Sequence, residues 1–144
     1  MVLRRKKNPK YLNDNGTEYL VQKIQKEISP PLDYDIKNCG GISVPANTST
    51  LIDSFTVGST GLYIFGANFL ITISSENIDM VALIKATGQG SFTVRGNANG
   101  GGGLCPVGIA YINEPETGID LIAQTNQAVT TSNTSKMWYV KLSD

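Results

Sequence analysis

Few side chains in this sequence are of the types that carry out chemistry. The chain of 144 residues has no histidine, which removes the imidazole base, the Ser-His and Cys-His nucleophile pairs and imidazole metal ligands. Its two cysteines, Cys39 and Cys105, lie far apart and lack the companions of a metal-binding motif. They indicate free buried thiols, with a disulfide between them as the alternative. We expect no catalytic residue, no metal ion and no cofactor.

The carboxylates are scattered. Asp33 and Asp35 stand two residues apart, as do Glu114 and Glu116. A calcium ion takes about 6–8 oxygen ligands, and neither pair has the spacing of a dedicated calcium loop, so we interpret both as solvated turn residues. A glycosidase needs two carboxylates across a cleft, and the sequence places no two acids opposite each other.

A glycine-rich stretch covers residues 96–103. It lacks the Gly-Lys-Ser/Thr ending of a phosphate-binding loop, and no helical pattern follows it, which favours a mobile loop. Exposed loops are frequent sites of recognition. Asn97, Asn99 and Gly101 are therefore candidates for a receptor-facing loop.

The charges are distributed unevenly although their sum is zero. Residues 1–28 carry seven Lys and Arg against three Asp and Glu, whereas residues 29–144 carry five against nine. The acidic balance of the larger part argues against nucleic-acid binding, which needs a basic surface. The N-terminal arm is a candidate particle anchor, with a solvated terminus as the alternative. Its anchor residues are Arg4, Arg5, Lys6, Lys7 and Tyr11.

Neither a secretory signal nor a membrane span is expected. Charged residues follow Met1–Leu3 directly, where a signal would have an apolar stretch. The longest apolar-rich stretch, 62–73, is shorter than the roughly 20 residues that cross a bilayer.

A short helix is predicted after the turn and capping residues 14–17, and Pro30 ends it. Leu20, Val21, Ile24 and Ile28 fall on one narrow apolar stripe. A helix of about 12 residues is marginal in water, so the stripe must be buried. We favour a sister helix in an oligomer. The domain body and a docking partner are the alternatives.

Residues 41–144 have the pattern of an all-β domain, with short apolar strands separated by polar Gly, Asn and Ser turns. This pattern favours an antiparallel sandwich or barrel. The predicted organisation is an anchor arm with helix at 1–30, a linker at 31–41 and a head domain at 42–144. The predicted strands are Ile42–Val44, Leu51–Val57, Gly61–Ser74, Met80–Thr87, Ser91–Arg95, Cys105–Asn113, Gly118–Thr125, Ala128–Thr131 and Lys136–Leu142.

The strand around residues 62–73 is apolar on both faces. Its odd positions include Tyr63, Phe65 and Phe69, and its even positions include Leu62 and Ile64. An ordinary sandwich strand meets water on one face. One chain of this size has one core, so we expect a neighbouring subunit to cover the second face.

Two further aromatic residues, Tyr111 and Trp138, complete the predicted set of core and trimer-interface residues. Core packing is the favoured role of Trp138, with ligand stacking as the alternative.

Residues 41–144 resemble the jelly-roll head of the tumour-necrosis-factor and complement-globular-head superfamily. The resemblance covers about two thirds of the chain and implies a jelly-roll fold and a homotrimer packed around an aromatic inner sheet. The matching segments are Phe55–Val57, Gly61–Phe65, Val81–Lys85, Gly118–Ala123 and Thr130–Leu142.

The segment Lys10–Ile24 is similar to the opening of many tail and fibre proteins of bacteriophages that infect Gram-positive hosts. This resemblance implies a virion protein made in the host cytoplasm and joined to other virion proteins through its N-terminus. A long shaft is missing between the arm and the head, which leaves a fibre and a compact knob both open.

The leading hypothesis is a non-enzymatic, homotrimeric virion appendage whose head has a host-surface glycan as its candidate ligand. A capsid decoration protein that stabilises the particle without binding a receptor is the alternative. A small enzyme acting on cell-wall polymer is the third hypothesis, disfavoured by the missing histidine and the scattered acids.

Overall fold

The computed structural model describes residues 16, 18–20, 22, 33–72, 76–99 and 101–144. They belong to two compact units, residues 1–32 and 33–144. In the first unit the described residues are helical, and Gln22 Nε2 donates a hydrogen bond to Glu18 Oε1, one turn earlier, at 3.4 Å. This agrees with the predicted helix. Leu20 of the apolar stripe is partly buried.

The remaining predicted stripe and anchor residues lie outside the described residues: Val21, Ile24 and Ile28 of the stripe, and Arg4, Arg5, Lys6, Lys7 and Tyr11 of the anchor.

The second unit is built from strands throughout its described residues. In chain order they are β1 Tyr34–Asn38, β2 Ser43–Val44, β3 Thr50–Val57, β4 Gly61–Ile71, β5 Asn77–Ala86, β6 Ser91–Asn99, β7 Gly102–Leu104, β8 Val107–Ile112, β9 Thr117–Thr125, β10 Val129–Thr130 and β11 Lys136–Ser143.

These strands form two antiparallel sheets. Sheet I has the order β1-β11-β4, and the other edge of β4 pairs with both β7 and β8. Sheet II has the order β3-β9-β5-β6, and β2 and β10 form a small separate pair. Sequential strands repeatedly cross from one sheet to the other, which is the connectivity of a jelly-roll sandwich. The predicted all-β, antiparallel jelly-roll class is confirmed.

The core lies between the two sheets. Tyr63, Phe65 and Phe69 point inward from β4 and are completely buried. Aromatic rings join the sheets, since Phe65 meets Phe92 of β6 edge-on with ring centroids 5.9 Å apart. The odd-numbered face of β4 is therefore filled within one chain, and the even-numbered face is left outside.

The segment predicted as a linker, 31–41, contains a strand instead. β1 pairs antiparallel with β11 and forms the edge of sheet I, so this part of the prediction is wrong. The pattern was misleading because the inward position of β1 holds Lys37 rather than an apolar residue. Lys37 Nζ lies 2.7 Å from Asp53 Oδ1 and 4.7 Å from the centre of the Phe55 ring. The lysine side chain therefore connects β1, at the edge of sheet I, to β3, at the edge of sheet II.

The predicted mobile loop at 96–103 is also wrong for most of its length. β6 continues through Asn99, and Gly102–Leu104 forms β7 against β4. Close packing favours glycine here, since a Cβ on Gly103 would lie 2.8 Å from the backbone carbonyl oxygen of Phe69 in β4. A glycine-rich sequence thus marks two strands in close approach rather than a free loop.

The side chains of β11 alternate between two faces as predicted, but the face that was expected to pack in the core is the outer one. Met137 and Tyr139 are buried in the core, whereas Trp138 lies on the outer face of sheet I and is partly exposed. The interpretation of Trp138 as a core residue is wrong. The expectation that both thiols are buried is wrong for Cys105, which is exposed, while Cys39 is buried and both are unpaired.

Candidate functional site: the apolar face of sheet I

The outer surface of sheet I is apolar across all of its long strands. We call this surface the apolar face. It consists of Tyr34 and Ile36 of β1, Trp138, Val140 and Leu142 of β11, Leu62 and Ile64 of β4, and Val107, Ile109 and Tyr111 of β8.

Strand pairing places these side chains in continuous rows. Tyr34 pairs with Val140, Val140 with Ile64, and Ile64 with Ile109, which makes one apolar row four strands wide. Paired residues of neighbouring strands point to the same side of a sheet, so their side chains contact one another. The next row along the strands runs from Ile36 through Trp138 to Val107.

Much of this face is open to solvent in the single chain. The exposed fraction is 52% for Ile109, 54% for Tyr111, 55% for Ile36 and 70% for Tyr34. Scattered exposed apolar residues are normal, but a contiguous apolar patch rimmed by polar residues marks an interaction surface.

Polar residues define one border of the face. The row next to Trp138 contains Asn38, Lys136 and Asn68, which pair across β1, β11 and β4. Cys105 lies on the same border, with its Sγ 3.4 Å from Asn68 Oδ1. The change from apolar to polar within one row indicates where a covered surface would end.

Trp138 fits the face because its partner on β4 is glycine. A Cβ on Gly66 would lie 2.6 Å from Cζ2 of the indole. The missing side chain lets the indole ring lie against the sheet, and Gly66 itself is buried beneath it. At the centre of the face the indole therefore packs over the backbone of Gly66.

A polar cluster supports the face from the end of the sandwich. Tyr139 Oη donates a hydrogen bond to Asp33 Oδ1 at 3.3 Å, and Tyr63 Oη donates one to the Ser59 carbonyl at 2.9 Å. Lys141 Nζ donates to Ser59 Oγ at 3.2 Å. Burial, with the nearby Asp33 carboxylate, raises the pKa of Tyr139 to about 12. The Tyr139 phenol is thus a neutral structural group, not an acid or base for catalysis.

The other titratable groups of the sandwich are also unsuited to catalysis. Burial, followed by the charge of Asp53, raises the pKa of the Cys39 thiol to about 11, so it is protonated and unreactive. Among the described residues no three Cys, Asp or Glu side chains lie close enough together to hold a metal ion.

The three residues predicted for a receptor-facing loop lie at the far end of β6. Asn97 and Asn99 are exposed strand residues, and Gly101 stands between β6 and β7. The Asn97 side chain is occupied, because its Nδ2 donates a 2.6 Å hydrogen bond to Asp79 Oδ1. The charged and polar surface beside Asn97, on the outer face of sheet II, was not anticipated from the sequence.

Solved structures with the same fold come from a virus particle and a mammalian protein. The infectious bursal disease virus VP2 subviral particle has a TM-score of 0.60 and 13% identity, covering 78% of this chain and 34% of that chain. T=1 particles derived from the same virus have a TM-score of 0.60 and 12% identity, covering 78% of this chain and 32% of that chain. Murine APRIL at pH 8.5 has a TM-score of 0.50 and 14% identity, covering 76% of this chain and 100% of that chain.

At these low identities, the likeness in structure shows a shared jelly-roll fold. The chain spans about a third of the length of the VP2 chains that it matches. No protein-family model matches the sequence, and neither does any curated protein. In the part of the chain that the structure describes, no helix has the length and apolarity to cross a membrane.

Proposed function

We propose that this chain is a non-enzymatic structural protein of a virion, and that its jelly-roll unit assembles as a homotrimer through the apolar face of sheet I. The observation that carries the proposal is the face itself. It is continuous over four strands, it has no charged side chain in its interior rows, and several of its members are more than half exposed in one chain. Covering such a surface removes apolar area from water, which is the main driving force of association.

A second copy of the same chain is the preferred occupant of this face. The face is apolar in its centre and polar at one border, as in interfaces between identical subunits. The jelly-roll heads that the sequence resembles form trimers around an aromatic inner sheet, and sheet I supplies Tyr34, Tyr111 and Trp138 for such packing. The face supports association of identical copies, and the resemblance supports three of them with sheet I turned toward the symmetry axis.

The virion setting is supported by two likenesses. The sandwich shares its fold with part of VP2, a protein found in a viral particle. The segment Lys10–Ile24 is similar to the opening of phage tail and fibre proteins. We assign the N-terminal segment to attachment to other virion proteins. The head is either a receptor-binding knob, with a host-surface glycan as ligand, or a decoration protein.

The mass of the full chain in solution tests the assembly directly. Light scattering should give three times the 15.5 kDa of one chain. Ile109→Asp should give a folded monomer, because a charge would be buried within the interface. The matched control is Leu51→Asp, since Leu51 is an exposed apolar residue on sheet II, 57% exposed against 52% for Ile109. The control should remain trimeric.

A monomeric native chain, or a trimeric Ile109→Asp variant, would overturn the assignment of the apolar face. A native dimer would overturn the threefold assembly. The attachment role is tested by deletion of residues 1–28, which should leave the assembled head intact and abolish incorporation into particles. Continued incorporation would refute the anchor.

A further inference from the structure

A concave site lies on the outer face of sheet II, on the opposite side of the sandwich from the apolar face. Its volume is about 380 Å³, at the small end of the range of ligand sites. The floor is aliphatic and consists of Val81 and Leu83 of β5 and Ile122 of β9. We call it the sheet II pocket.

Polar side chains flank this floor in register. Arg95 of β6 pairs with Val81, and Gln124 of β9 pairs with Val81 from the other side. Thr93 of β6 stands in the same relation to Leu83 in the next row. The floor is therefore bordered on its β6 side by a guanidinium and a hydroxyl group and on its β9 side by an amide.

One wall of the pocket is held in place by hydrogen bonds. The Asp79 backbone N–H donates to Asn126 Oδ1 at 3.0 Å, and the Asn126 N–H donates back to the Asp79 carbonyl at 3.1 Å. Asn97 Nδ2 donates to Asp79 Oδ1 at 2.6 Å, which fixes the carboxylate. A wall fixed in this way loses little conformational entropy when a ligand binds.

The polar groups along the strands have no hydrogen-bond or ion-pair partner among the described residues. Over the described parts of the chain, no hydrogen bond or ion pair engages the side chains of Arg95, Gln124, Thr93 or Ser49, all of which line the pocket. An arginine has five donors in a planar fork that matches a carboxylate. These groups are available for a ligand.

We propose that the sheet II pocket binds a single sugar residue that carries a carboxylate. A pyranose ring presents an apolar C–H face, which matches the floor of Val81, Leu83 and Ile122. Its carboxylate pairs with Arg95, and its hydroxyl groups reach the amide of Gln124 and the remaining acceptor positions of Asp79.

The fixed Asp79 carboxylate decides between ligand classes. Asp79 repels a dianionic phosphate more strongly than a ligand with one carboxylate, and the hydroxyl groups of a sugar donate to it. No aromatic side chain lines the pocket among the described residues, which disfavours a stacked nucleotide base. A monoanionic ligand with several hydroxyl groups satisfies both Arg95 and Asp79.

The role of this site in attachment to a host rests on the proposed virion function, but sugar binding itself requires one chain only. The test uses NMR titration of the isotope-labelled full chain with methyl glucuronide, and with methyl glucoside as the probe that lacks the carboxylate. Methyl glucuronide should shift the amide signals around Leu83 and Gln124 with saturation. Methyl glucoside should bind at least about tenfold more weakly, since a charge-assisted pair is lost.

Arg95→Gln should weaken methyl glucuronide binding about tenfold or more. The matched control is Lys85→Gln, which removes a cation from the same outer face one row beyond Leu83 and should leave the affinity unchanged. Absence of saturable binding, equal affinity for the two glycosides, or equal losses in the two variants would overturn the site. Tighter binding of inorganic phosphate would overturn the ligand class. The Ile109→Asp variant should keep full binding, so failure of the trimer leaves this result interpretable.

Discussion

Two neighbouring residues of β4 allow the energy of folding to be separated from the energy of assembly. Phe65 is completely buried and its ring meets Phe92, so Phe65→Ala creates a cavity in the core. Such substitutions cost about 3–5 kcal/mol. Ile64 points to the apolar face and is partly exposed in one chain. Ile64→Ala should cost the single chain only about 1 kcal/mol, with the remainder appearing on association.

The assay is urea unfolding of the full chain, followed by circular dichroism at several protein concentrations. The apparent stability of an oligomer increases with protein concentration, because association acts on the folded state alone. The loss in free energy of unfolding caused by Phe65→Ala should be the same at every protein concentration. The loss caused by Ile64→Ala should grow as the protein concentration increases.

Two results would refute this reasoning. A cost below about 1.5 kcal/mol for Phe65→Ala would contradict a tightly packed core around that ring. A deficit of Ile64→Ala that does not change with protein concentration would show that the apolar face is not an interface between copies.

The remaining predictions concern two buried groups. The pKa of Tyr139 is about 12 in the folded chain against 10 for an ordinary tyrosine, so between pH 10 and 12 the unfolded chain releases a proton that the folded chain keeps. The free energy of unfolding should therefore fall by up to about 2–3 kcal/mol over this range. Tyr139→Phe should reduce this fall when denaturation is measured at each pH. If the variant loses stability with pH as steeply as the native chain, the burial of Tyr139 is contradicted. In the native protein a thiol reagent should modify exposed Cys105 quickly and buried Cys39 only on unfolding; rapid modification of both would contradict the packing around Cys39.

The parts of the fold that could be predicted are those in which local pattern and burial agree. The odd positions of 62–73 are almost all apolar, and in β4 they do form the core face. The even positions are also largely apolar, and the structure leaves them on the outside of one chain. An amphipathic pattern identifies an inner face, but two apolar faces do not reveal which one the same chain fills.

Three of the four errors have physical causes that a single sequence does not display. β1 was missed because Lys37 occupies an inward position, where its ammonium group is paired with Asp53 across the edge of the sandwich. β7 was missed because glycine usually weakens a strand, whereas Gly103 lets β7 lie close to the Phe69 backbone carbonyl of β4. The outward position of Trp138 follows from the register of β11 against β4, and Gly66, which is distant in sequence, leaves room for the indole ring there.

The sheet II pocket was missed for a related reason. Arg95, Gln124 and Asp79 belong to three different strands and become neighbours only through the register of sheet II. In the sequence each of them stands as an ordinary exposed residue on the polar face of an amphipathic strand. Register between strands that are distant in sequence therefore determines the candidate ligand site, while local pattern determines the core.

The two outer faces of the sandwich differ in a way that bears on how the proposed functions combine. The apolar face has no charge in its interior rows, whereas the outer face of sheet II carries Arg95, Asp79 and Lys85. Copies that bury sheet I against one another would leave every sheet II pocket turned outward. A site for one sugar residue binds weakly by itself because few atoms contribute to its affinity. Three such sites on one trimer would raise the effective affinity for a surface carrying many identical sugars without any further contact. In this arrangement the apolar face contributes to recognition through the number of sites it brings together, although it contacts no ligand.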